Sequence, residues 1–174
     1  MDAAVKGIAD YLDETWSSLL DAVAALDDAL FQWCPGPESS SIAILLRHLA
    51  GSERWWIGEA IGGIPSHRVR DAEFVHDEPR RADVLRSVEE ARALTRRVLA
   101  GLTVQDLQAA TAPTVTRGNP PARPTKLWAL LHYLEHLGYH RGQILLLRNL
   151  GRAAVSGRPA PAAGASRGEG APAR

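Results

Sequence analysis

The chain has 174 residues, enough for one domain with a sizeable core. Its 20 basic and 20 acidic side chains cancel, so no electrostatic footprint for a phosphate backbone is present and a nucleic-acid partner is not expected. The single cysteine, Cys34, excludes an internal disulfide and suits a reducing compartment.

The opening MDAAVKGIADYLDETW mixes acids with apolar residues and lacks a signal pattern. No later stretch reaches membrane-spanning length without charges, so the reading is a cytoplasmic protein without a membrane partner. Helix one is expected over about residues 3–30, where Ile8, Leu12, Trp16, Leu19, Leu20, Val23, Leu26 and Leu30 recur at spacings of three and four. A Pro- and Ser-rich break follows. Cys34 lies there without a neighbouring base and reads as a packed or idle thiol. Helix two is expected from about Ser41 to Ala60, stopped by Gly62, Gly63 and Pro65.

Residues 61–80 read as a connection long enough to return along a helical bundle, which would leave helices two and three parallel. Helix three is expected over roughly Arg81 to Ala100, followed by a helical turn at 103–109 and a Pro-rich loop. Helix four begins after its cap, Thr125, and is expected to end at Gly151. No segment alternates with period two and no Gly-rich phosphate loop is present, so the fold class is all-α, a four-helix bundle. Residues 1–151 form its domain. The remainder, 152–174, is rich in Pro, Gly, Ala and Ser and is expected to be a disordered tail.

Helix four carries the chemistry. His132, His136 and His140 stand at i, i+4 and i+8, a stripe on one face, and neutral imidazoles one turn apart can aim at one ion. On helix two, His48 has Ile44, Leu45, Ser52 and Trp55 within about 60° of it on the wheel, so it points inward and needs a partner. Each histidine could instead be satisfied by a neighbouring polar group. His132 and His140 lie equally, about 40°, to one side of His136, and wheel geometry does not choose between them.

The segments SIAILLRHLAGSERWW around His48 and HLGYHRGQI around His136 and His140 resemble the DinB/YfiT-like family, the damage-inducible helical-bundle proteins, over most of residues 1–151. The resemblance implies an up-down-down-up four-helix bundle with a long crossover between helices two and three. It also implies a divalent metal, zinc or nickel, held by His48, His136 and His140. His132 then stands one turn away, with a role in the second shell or toward substrate left open.

Gln143 could orient a ligand, and an apolar substrate pocket could be walled by Trp55 above all, with Trp56, Tyr133 and Tyr139 as further candidates. Glu135 falls off the stripe and reads as solvated. Glu59 shares the face of His48 but lies roughly 16 Å along the helix from it. Three neutral ligands leave open positions on an ion, the arrangement of a catalytic site. By resemblance, the leading function is a metal-dependent transferase or isomerase using a low-molecular-weight thiol, mycothiol or bacillithiol in type, as cosubstrate. A metal-dependent hydrolase and a non-catalytic, stress-related metal-binding protein are the alternatives. The expected partner is a small-molecule substrate, and a homodimer is left open.

Overall fold

The computed structural model describes residues 2–113, 115 and 122–156, and among these the regular elements are helices, with no β-strand. The first apolar stripe forms α1, Ala3–Ala24, capped by the Asp2 carboxylate on the Ala4 amide. The expected single helix to about residue 30 is in fact two. Asp27 accepts a hydrogen bond from the Leu30 amide at 2.8 Å and starts a separate short helix, α2, Asp28–Gln32. Such a cap is worth about 1 kcal/mol. Arg81 donates to the carbonyls of Val23, Ala24 and Leu26, which satisfies the acceptors freed at the end of α1.

Ser41 caps α3, Ile42–Glu53, whose chain continues as a π-helical segment, Arg54–Ile61. That segment departs from the regular helix expected to Ala60, because its wider i→i+5 repeat turns the later residues out of α-helical register. Gly63 ends it with φ +69°, as the Gly-Gly stop requires. The connection that follows contains one 3₁₀ turn, Arg70–Phe74. Helix α4 occupies Arg81–Ala100, the expected bounds, and Thr103 and Asp106 form a capping box for α5, Val104–Gln108.

The last helix, α6, runs Lys126–Val155, four residues past its expected end. Gly151 is not a left-handed stop here. A Cβ on it would stand 3.1 Å from the Trp33 ring and 3.2 Å from Leu30, so the glycine serves close packing. The expected tail thus begins as helix, and its part beyond residue 156 lies outside the described residues.

Packing closes a ring: α3 lies against α4 and α6, and α1 lies against the same two helices. Trp16, Leu46, Leu49, Ile57, Leu130 and Leu137 fill the interior. Burying such side chains is the main favourable term in folding, at about 25 cal/mol per Å². A carboxyl group shares this interior. Glu53, 1% exposed, accepts hydrogen bonds from Trp16 Nε1 and Tyr133 Oη at 2.8 Å each and from Thr95 Oγ1, which links α1, α3, α4 and α6. Burial pushes its carboxyl above the usual range, and the three donors only partly oppose this.

Candidate metal centre

Helix α3 delivers His48 from inside the ring, where it is 3% exposed, and α6 brings His136 and His140 to the same point. His48 Nε2 lies 3.0 Å from His136 Nε2, and His140 Nε2 lies 3.1 Å from His136 Nε2. One ligand atom from each of the three falls within 4.8 Å of the others, so the group could hold a metal ion.

The opposite nitrogens explain this convergence. His48 Nδ1 faces Glu73 Oε2 at 2.8 Å, His140 Nδ1 faces Gln143 Oε1 at 2.7 Å, and His136 Nδ1 faces Ser52 Oγ at 3.4 Å. Each acceptor draws the ring proton to Nδ1 and leaves the lone pair on Nε2. Glu73 is itself held as an anion. Arg68 donates to both its oxygens, at 2.7 and 2.8 Å, and these bonds together with that of His48 outweigh burial and lower its pKa.

Gly51 makes room for that carboxylate on the surface of α3. A Cβ there would stand 2.0 Å from Glu73 Oε1, a separation no real atom pair keeps. The surroundings of His136 and His140 disfavour their protonated forms. Burial foremost, then the nearby His140, His48 and His132 and the Arg68 charge, lower the pKa of His136 to about 3. Burial also lowers that of His140.

Three lone pairs pointed at one another repel unless an electrophile stands among them. Nitrogens bound to one ion at 2.0–2.1 Å are separated by about 3.0–3.4 Å, so the spacing and donor set fit a divalent transition metal. A cavity of about 530 Å³ opens onto the histidines, with Phe74, Tyr139, Leu45 and Leu147 among its walls. The Phe74 ring lies 4.6 Å from that of His48.

A family profile described as the DinB superfamily matches residues 11–144. The chain belongs to the DinB superfamily. Its fold also matches a crystal structure titled as a conserved protein of locus from Enterococcus faecalis, with a TM-score of 0.65 and 18% identity over 88% of this chain and 99% of that one. That likeness speaks for the fold alone. No curated protein matches this chain.

Within this DinB-superfamily chain, the structure brings together His48, His136, His140 and Gln143. His132 stands apart from the ligand group. Its ring stacks on Trp128 at 4.9 Å with a 13° tilt and meets the edge of Trp56 at 4.7 Å. Trp55 is not among the residues lining the cavity, contrary to the helical-wheel reading. The π-helical segment begins at Arg54, and Trp55 instead meets the Trp56 ring edge-on at 4.4 Å.

Of the two tyrosines, Tyr139 lines the cavity, whereas Tyr133 is fully buried on Glu53. Glu59 accepts from the Ser66 amide and hydroxyl, away from the histidines. Glu135 is 84% exposed and 4.0 Å from His132, close to solvated as expected. Cys34 is half-buried and is not among the cavity walls. Sequence reasoning missed Glu73, Arg68 and Phe74, which come from the aperiodic connection. It also missed Ser52 as a partner, although Ser52 stood in the His48 sector of the wheel. The only available signal for Glu73 was an acid in a connection that has to cross the histidine helices.

Proposed function

We propose that His48, His136 and His140 bind one divalent metal ion, zinc or nickel, and that the protein is a metal-dependent transferase or isomerase using a low-molecular-weight thiol of the mycothiol or bacillithiol type. The observation that carries this reading is the convergence of three Nε2 atoms at the floor of a cavity large enough for a small molecule. A bound divalent ion would supply a Lewis acid able to hold a thiol as thiolate.

The chain's own groups do the rest. Glu73 and Gln143 hold the His48 and His140 rings in the tautomer that presents Nε2, and neutrality of His136 keeps protons from competing for its nitrogen. Phe74, Leu45 and Leu147 exclude water from one side of the cavity and favour an apolar portion of substrate. We read the ring of helices as the up-down-down-up bundle, with the connection before α4 returning along it. A cytoplasmic location goes with this reading, since small thiols are kept reduced there. No helix among the described residues is long and apolar enough to cross a membrane.

The test is elemental analysis of untagged protein, followed by thiol-dependent consumption of 1-chloro-2,4-dinitrobenzene. About one metal per chain, and conjugation lost on chelation and in His48→Ala, support the proposal. Ester or amide hydrolysis without thiol dependence would move the assignment to a metal-dependent hydrolase. Metal binding with neither activity would move it to a non-catalytic metal-binding protein.

A further inference from the structure

The cavity over the three histidines contains a cation that the fold does not neutralise. Two other arginines near the site are committed to the protein itself. Arg68 is bidentate on Glu73, and Arg47 holds Asp77 together with the carbonyls of Glu73 and Val75. Arg70, the first residue of the 3₁₀ turn, differs from both. It is exposed, it lines the cavity, and among the described residues its side chain forms no ion pair or hydrogen bond.

Its guanidinium is set 5.1 Å from the centroid of Phe74, the same ring that packs against His48. One aromatic ring therefore separates the cation from a histidine of the candidate centre. The contact with Phe74 pre-orders the long side chain and leaves its N–H groups available. Ser39 and Ser40 add hydroxyls to the wall, and Glu38 is its one acid among the described lining residues.

We propose that Arg70 anchors an anionic group, a carboxylate, sulfonate or phosphate, of the small molecule that occupies this cavity. The rest of that molecule lies along Phe74 and Leu45, with its reacting atom turned to the histidines. The proposal rests on the metal-centre reading for what the reacting atom meets, and on Arg70 alone for the anion. A guanidinium presents parallel N–H donors that match a carboxylate, and the bond strengthens as ligand and cavity walls displace water. Glu38 opposes the same charge.

The test uses the full chain loaded with cobalt(II), titrated with 3-mercaptopropionate and its neutral counterpart 3-mercaptopropanol, and read by thiolate-to-cobalt absorbance. Wild type should favour the acid by about tenfold, the size of one charge-assisted bond. Arg70→Gln should erase that preference, Arg70→Lys should keep part of it, and Glu38→Gln should enlarge it. An unchanged preference in Arg70→Gln, or equal binding of the two thiols to the wild-type cobalt centre, overturns the proposal.

Binding of hexanoate against hexanol, followed by saturation-transfer NMR, reads the anchor without any thiol. If neither thiol reaches the cobalt yet hexanoate binding depends on Arg70, the thiol reading fails and the anchor stands. If hexanoate binds Arg70→Gln as well as wild type, or binds neither, the anchor is wrong.

Discussion

His48 Nδ1 donates to Glu73 Oε2 across 2.8 Å, and that bond decides which nitrogen of the buried imidazole faces His136. Outer partners of this kind orient a ligand and raise its basicity, and their loss typically lowers metal affinity about 10- to 100-fold. Glu73→Ala should show a loss of that size in a chelator-competition titration, with Glu73→Gln, which keeps an acceptor, losing less. Equal affinity in wild type and Glu73→Ala would exclude Glu73 from this role.

Gly51 should be as sensitive as a ligand although it touches no metal. A methyl group at this position collides with the Glu73 carboxylate, which Arg68 and His48 hold in place. Gly51→Ala should therefore weaken metal binding toward the Glu73→Ala level, while Gly7→Ala, where a Cβ meets nothing within 4 Å, should not. Chelator titration of the three variants side by side gives the answer, and tight binding by Gly51→Ala would show that Glu73 can move without consequence.

His132 and His140 should separate cleanly. His132→Ala removes a ring stacked on Trp128 and should keep about one metal per chain, whereas His140→Ala should lose most of it. Elemental analysis of both variants tests the pair. Metal lost with His132 and kept without His140 would shift the ligand set one turn toward the start of α6.

Glu53 predicts a pH dependence of stability remote from the histidines. Its carboxyl has a raised pKa in the fold, so the folded protein holds a proton that the unfolded chain gives up. Its contribution favours the fold below the ordinary carboxyl pKa of 4.5 and turns against it as pH rises from there to the raised value. Every tenfold difference in proton affinity between the folded and unfolded chain corresponds to about 1.4 kcal/mol. In Glu53→Gln the amide oxygen can accept from Trp16 and Tyr133 while its NH₂ donates to the Thr95 hydroxyl. The variant should lose less stability than wild type between pH 4 and pH 8 in urea titrations. Parallel curves would mean the carboxyl titrates normally.

The four candidate histidines were legible in the sequence because their placement depends on local periodicity. Spacing of four residues on α6 and an inward sector on α3 place imidazoles on faces that must be buried, and the family motif chose His140 over His132. The bounds of α4 follow from the same periodicity, and Gln143 followed from its proximity along one helix.

Trp55 shows where that reasoning stops. A wheel drawn at 3.6 residues per turn carries it to the side of His48, but a wheel ignores the rise along the axis, and seven residues at about 1.5 Å each set Trp55 roughly 10 Å from His48 and outside the cavity lining. Tyr133 likewise shares the histidine helix, yet its hydroxyl is taken by Glu53, eighty residues away.

By itself the sequence determined an all-helical chain with four histidines on two apolar helices, since helix formation and amphipathic faces are properties of neighbouring residues. Only the tertiary structure decided that the histidine nitrogens meet and which nitrogen each presents. It also decided that Glu73, twenty-five residues from His48 and without periodic signal, completes the centre. Those relationships depend on how helices pack and where a connection crosses them, and side chains far apart in sequence acquire a distance only once the interior has closed.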